Sequence, residues 1–399
     1  MLVLVLNSGS SSVKYELLDM PQGVRLARGI AERVCTEASV LTHELPGVAP
    51  LVVTQPLPDH AAALQLILGL LTAAEGGALE SLAQVEAVGH RWVHGGEAHT
   101  ASCLATPEVL ATLKAHMSLA PLHSPPNLAG IRACQEALPG RPQVCVFDSG
   151  LHATLAPEAY LYALPYELYE KHRLRRYGFH GLALRSAFER AEKLLGRDPA
   201  KLKIVTLMLG SGNTANACDC GRSVEVSTGF TPQEGLVQST RAGDMDAAII
   251  PWLMREEGLD CDQVNELLNR KSGWLGLSGI GQDLRDVISA AEAGHERARL
   301  ALGVQAHRAR KYVGAYAAVM GGVDLLIFAG GVGLNSPLVR ANICHGLEFL
   351  GLGLDPVSNA DCRQEAVIST ADSPKPILTV AINEELVIAR DTYEVVASL

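Results

Sequence analysis

The chain has 399 residues, enough for two domains of ordinary size, each with a proper core. Hydrophobic residues make up 48% and charged residues 19%, which excludes a disordered chain; 33 basic against 43 acidic residues give a net charge of -10, the wrong sign for coating nucleic acid or an anionic membrane. No basic leader precedes the opening apolar run and no stretch approaches the roughly 20 apolar residues that span a bilayer, so a cytoplasmic protein with neither nucleic acid nor membrane as partner is expected.

The first predicted elements are strands over 2–6 and 13–18, joined by Asn7-Ser8-Gly9-Ser10-Ser11-Ser12 with Lys14 just beyond. Backbone N–H groups and hydroxyls in such a turn, with a nearby ammonium, suit a phosphate. Taken alone, the turn serves as readily as an ordinary polar hairpin. A Pro-rich segment over 44–58 follows, then a helical pattern over 60–73. The stretch Val85 to Val88 leads into the polar, glycine-rich stretch His90 to Gly96, and the buried strand Val144 to Phe147 ends at Asp148.

The next apolar strand, Ile204 to Leu209, ends in Gly210-Ser211-Gly212-Asn213-Thr214, which echoes the opening motif and fits an internal duplication. A third glycine turn, Gly330-Gly331-Val332-Gly333, follows the strand Leu325 to Ala329 and precedes a helical run from Pro337. Strand, glycine turn and helix start suit a nucleotide, although neither GxxxxGK[ST] nor GxGxxG occurs. Alternating strands and helices argue for an α/β fold. Nine cysteines, an odd number without zinc-type pairing, read as reduced thiols.

Nine separated blocks then carry a specific resemblance: NSGSSSVK at 7–14, GHRWVHGG at 89–96, APLHSPPN at 120–127, VFDSGLH at 146–152, RRYGFHG at 175–181, STGFTPQEG at 227–235, TRAGD at 240–244, KSGWLGLSG at 271–279 and INEELVIARDT at 382–392. In this order they resemble the acetate kinases (acetokinase family) of the sugar kinase, Hsp70 and actin superfamily. The resemblance implies two duplicated actin/Hsp70-like (ribonuclease H-like) domains with a cleft between them, usually as a homodimer. Residues 1–150 would form the N-terminal domain, with the last helix, about 383–399, returning to it; residues 151–382 would form the nucleotide-binding domain. The implied reaction is reversible, in-line transfer of a phosphoryl group from ATP to acetate, giving acetyl phosphate and ADP, with Mg²⁺ (or Mn²⁺) as cofactor.

Transfer to a carboxylate needs alignment and charge neutralisation, not a general base, because the acceptor is already ionised near pH 7. Guanidinium forks match both carboxylate and phosphoryl oxygens, and a histidine can donate to the latter as charge moves. The resemblance assigns the catalytic roles to Arg91, Asp148, His180 and Arg241, and the metal to Asn7 and Glu384. It assigns the acceptor pocket to Arg91, Val93, Leu122, Phe179 and Pro232. The nucleotide would meet Ser10, Ser12, Lys14, Met208, Leu209, Gly210, Ser211, Gly212, Asp283, Leu284, Arg285, Gly331, Val332, Gly333, Leu334 and Asn335. His123 matches a position near the site, whereas His90, His94 and His152 fit packing roles equally well.

The departures from the family pattern are local. Met208 and Ser211 replace an imidazole and an amide that meet phosphates, with Ser211 or Asn213 as candidate substitutes. Leu334 stands for a glutamate, Ser239 for a glycine, and Leu182 and Leu184 for polar residues. Two further readings stay open: a kinase for propionate or another short carboxylate, and a catalytically weakened nucleotide-binding relative acting as sensor or scaffold.

Overall fold

A computed structural model describes residues 1–9, 11–115, 117 and 124–399; Ser10, Leu122 and His123 lie outside the described residues. The chain divides into two compact units, Met1–Gly150 with Asn383–Leu399, and Leu151–Ile382. Among the described residues no helix is long and apolar enough to cross a membrane.

The first unit is built on eight strands: β1 Leu2–Ser8, β2 Ser12–Asp19, β3 Val24–Glu32, β4 Val40–Glu44, β5 Leu51–Thr54, β6 Ala87–Trp92, β7 Cys103–Leu104 and β8 Gln143–Phe147. They lie in the order β5-β4-β3-β2-β1-β6-β8-β7. The first five pair as antiparallel neighbours, while β1, β6 and β8 run parallel. β1 reads as an unbroken apolar run because helices cover both of its faces. Leu4 and Leu6 join the core under helix His60–Leu71, whereas helix Glu384–Ala397 packs on the opposite face. Its approach is close at Gly89, where a Cβ would lie 2.3 Å from Thr392 Oγ1.

The second unit repeats the plan with β9 Lys203–Leu209, β10 Asn213–Asp219, β11 Arg222–Val226, β12 Leu325–Ala329, β13 Ala366–Val367 and β14 Ile377–Val380. Their order is β11-β10-β9-β12-β14-β13, with β9, β12 and β14 parallel. The central order β11-β10-β9-β12-β14 matches β3-β2-β1-β6-β8 strand for strand, so the α/β fold is duplicated as expected. The long helix Glu296–Val319 supplies a row of alanines and Val313 to the main core of this unit.

Two local expectations change. The Pro-rich segment contains β5, an edge strand whose Leu51 and Val52 stay exposed, and edge positions tolerate nearby prolines. Gly330–Asn335 is a short helix rather than a turn, followed at once by helix Pro337–Cys344 capped by Ser336.

Candidate active site

In the first unit, parallel pairing aligns the carboxyl ends of three strands, where open α/β sheets place their ligands. Asn7 ends the apolar run of β1, Arg91 lies beside it on β6, and Asp148 follows β8, its backbone N–H donating to Trp92 O at 2.9 Å. The Arg91 Nη2–H donates to Asp148 Oδ2 at 2.8 Å and Nη1–H to Asn7 Oδ1 at 3.4 Å. Glu384 enters from the start of helix Glu384–Ala397, with Oε2 3.9 Å from Arg91 Nε. That Nε is buried without a hydrogen-bond partner.

Burial opposes the charge on Arg91, but Asp148 and Glu384 outweigh it and hold the guanidinium above its ordinary range. Burial likewise pushes the Glu384 carboxyl up, with Asp148 and Glu385 adding to the rise and Arg91 opposing it. Asp148 is 1% exposed. Val93 is buried just past the end of β6. In the serine turn, Gly9 N–H donates to Ser12 O at 2.8 Å. Gly9 is not left-handed; its contribution is room, since a Cβ would sit 3.1 Å from Ser12 Oγ. Lys14 is exposed on β2.

In the second unit, His180 caps helix Gly181–Leu195 in a left-handed conformation, φ 62° and ψ 24°. Its Nδ1 is 2.8 Å from the Oγ1 of Thr214, which is buried on β10. Phe179 N–H donates to Thr228 Oγ1 at 3.0 Å, and the approach to Phe179 turns at Gly178, φ +79°, packed on His152. Both His152 nitrogens are hydrogen-bonded, to Ser223 Oγ and Phe179 O, and His90 is a buried partner of Gln143. Burial lowers the His90 pKa to about 4, which keeps it a neutral partner inside the sheet, and His152 is held by its two hydrogen bonds. Leu182 and Leu184 anchor the helix in the core.

The turn after β9 lies beside His180: a Cβ on Gly212 would meet His180 Cε1 at 3.4 Å and Gln238 Oε1 at 3.5 Å. Gln238 Oε1 accepts from Arg241 Nη1–H at 3.1 Å, and Gln238 Nε2–H donates to Pro232 O at 2.7 Å. The structure therefore brings together His180, Gly212, Arg241 and Pro232 through Gln238. Asn213 is used inside the turn: Oδ1 accepts from Gly210 N–H at 2.8 Å and Nδ2–H donates to Val237 O at 2.6 Å. Buried at 1% exposure, it cannot substitute for the amide replaced by Ser211.

A cavity of about 680 Å³ opens on the other side of that turn. Gly210 and Ser211 form one wall; Gly331, Val332 and Asn335 from the short helix form another. Trp274, Leu284 and Ile288 supply apolar surface, with Asp283 and Arg285 at hand. Asp283 caps helix Leu284–Glu292 and pairs with Arg285 at 2.5 Å, so its carboxylate is engaged locally. Gly331 has open space, while Gly333 is tight, 3.3 Å from Phe328 C, and belongs to the packing beneath. Met208 and Leu209 stay on β9, with the Met208 side chain against the core rather than in the cavity lining. Gly333 and Leu334 offer their carbonyls to buried Arg340.

Sequence reasoning passed over Thr214, Gln238 and Trp274. Thr214 closes the Gly210–Thr214 motif, and alternation on β10 could have turned it inward, but nothing local marks Gln238.

The acetokinase family model matches residues 2–390. The acetate kinase of Heliobacterium modesticaldum is 49% identical over 393 residues, 98% of this chain and 99% of that protein. The crystal structure of Porphyromonas gingivalis acetate kinase superposes with a TM-score of 0.94 at 44% identity, covering 99% of each chain. A propionate kinase from Francisella tularensis gives 0.91 at 35% identity, covering 98% of this chain and 99% of that one.

Proposed function

Because the chain belongs to the acetokinase family, we propose that it is an ATP-dependent acetate kinase in which Arg91, Asp148, His180 and Arg241 carry the transfer. The observation that carries the reading is the cluster on the first sheet: an arginine aimed by Asp148 and Asn7, with one buried N–H still unpartnered. Such a group is under-satisfied without an anionic ligand.

Acetate arrives ionised and needs no base. Arg91 binds its carboxylate or the phosphoryl oxygens, and Asp148 fixes the guanidinium plane. On the second unit, Arg241 and His180 meet the charge that develops on the transferring group. Thr214 holds Nδ1 of His180 so that Nε2 faces Gly212 and the phosphate turn. ATP would occupy the cavity beside Gly331, with Gly210 and Ser211 in its wall; on the first unit, Ser12 and Lys14 are the serine-turn groups suited to phosphate. Val93, Phe179 and Pro232 would bound the acetate methyl.

A hard divalent cation fits Asn7 and Glu384: both offer oxygens, and the Glu384 carboxyl sits beside Asp148 and Glu385, an anionic cluster that a cation relieves. Mg²⁺ held there would supply charge neutralisation for the phosphates of ATP. A homodimer is supported by Ile249, Ile250 and Trp252, exposed on one short helix. A cytoplasmic setting agrees with the acidic composition and with nine unbridged cysteines.

The test is incubation with Mg-ATP and acetate, propionate or butyrate, trapping acyl phosphate with hydroxylamine, beside Arg91→Ala. Acetate should give the strongest, Arg91-dependent signal. A stronger signal from propionate moves the assignment to a propionate kinase. ATP binding without any acyl phosphate replaces it with a nucleotide-binding sensor or scaffold.

A further inference from the structure

The two arginines assigned to the transfer are treated in opposite ways. Arg91 has a carboxylate at 2.8 Å, whereas Arg241, among the described residues, has no carboxylate within 4.0 Å and one side-chain acceptor, the neutral amide of Gln238. Burial without a counter-charge lowers the Arg241 pKa. Arg176 in the same unit shows what a structural arginine receives: Glu234 at 2.5 Å and the carbonyls of Val226, Ser227 and Thr228.

Gln238 is itself held in one orientation. It is 1% exposed, its backbone N–H donates to Arg241 O and its carbonyl accepts from Trp274 N–H. The amide end leaves no choice of flip: Oε1 faces a guanidinium donor and Nε2 faces the Pro232 carbonyl, so reversal sets donor against donor and acceptor against acceptor. Its Oε1 also lies by Gly212, on the wall shared with His180. A neutral acceptor aims a guanidinium without cancelling its charge, while a carboxylate at the same place makes a charge-assisted pair that competes with any incoming anion.

We propose that Gln238 is a positioning residue that aims Arg241 at the transferring phosphoryl group, tethers it to Pro232, and is an amide so that the charge of Arg241 stays available. This inference rests on the carboxylate-kinase reading and deepens it. A group that only filled space would tolerate methionine, and one that only held Arg241 in place would lose no more as glutamate, which keeps the Arg241 contact and gives up the Pro232 bond, than as methionine, which gives up both.

The experiment compares wild type, Gln238→Met and Gln238→Glu by hydroxamate kinetics and thermal melting. Losing the two amide hydrogen bonds in Gln238→Met should lower kcat about 5- to 10-fold and raise the acetate KM several-fold, each bond being worth about a factor of five. In Gln238→Glu, neutralising Arg241 should lower kcat about 10²-fold or more, the loss typical of one preorganised donor. This order, Glu worse than Met with melting temperatures alike, supports the proposal. Should Gln238→Glu not fold, the KM and kcat changes of Gln238→Met decide it. Glutamate equal to or better than methionine, or methionine equal to wild type, overturns it while the kinase reading stands. A wild-type enzyme forming no acyl phosphate overturns both.

Discussion

Glu16 is an acid placed where ionisation is costly, and its removal should stabilise the protein at alkaline pH. It lies on β2, 8% exposed, with Oε1 3.7 Å from Arg25 and Oε2 buried without a partner. Burial, reinforced by Glu385, raises its carboxyl from 4.5 to about 7, with Arg25 and Arg28 opposing. A carboxyl raised on folding adds stability below its unfolded value, and that stability disappears as pH rises through about 7. At about 1.36 kcal/mol per pH unit, the ionised group at pH 8 costs the fold about 3 kcal/mol. Glu16→Gln removes this cost, from which the Arg25 attraction has already been subtracted, but leaves a poorly partnered amide, so a net gain of about 1–2 kcal/mol is expected. At about 2–4 °C per kcal/mol, the melting temperature should rise by about 2–8 °C at pH 8 and hardly move at pH 5. Paired calorimetric scans at the two pH values test this. An equal shift at both, or a destabilisation confined to pH 8, would refute the reasoning.

Gly331→Leu should raise the KM for ATP about tenfold or more while leaving the acetate KM near wild type, because a Cβ there meets nothing within 4 Å but a longer chain enters the cavity. Thr214→Val should lower kcat about 5- to 20-fold with ATP binding intact, as it removes the partner at 2.8 Å from His180 Nδ1; a kcat within twofold of wild type would count against the assigned orientation. Asp148→Asn should reduce kcat/KM by about 10²–10³, yet ATP affinity measured by calorimetry should persist, since the cavity proposed for the nucleotide is lined by the second unit.

Apolar runs that end in polar residues were legible: Leu2 to Leu6 ending at Asn7 and Val144 to Phe147 ending at Asp148 mark strands of the parallel set and the polar residues at their carboxyl ends. The duplication could be read from two similar strand-turn-strand motifs, because each copy solves the same pairing problem. What stayed hidden was partnership at long range. Nothing near Glu384 says that it faces Arg91, and Gln238 looks like any polar loop residue until Pro232 and Arg241 are seen on either side of its amide. β5 was obscured because prolines in 44–58 signal a break, while an edge strand can begin or end beside one. At Asn213 the residue type suggested a phosphate contact, but the turn itself takes both ends of the amide.

Helix Glu384–Ala397 covers Gly89, carries Glu384 to Arg91 and bonds Ser102 through Asp391 at 2.6 Å, yet the whole of Leu151–Ile382 is translated before it. During synthesis the first sheet therefore leaves the ribosome with one face bare and its arginine lacking a neighbour. That face stays uncovered by its helix until the second unit has been made. A nascent chain stalled before the helix is exported should thus lack Glu384 beside Arg91, so that this cluster on the first sheet is a property only of chains made past the second unit.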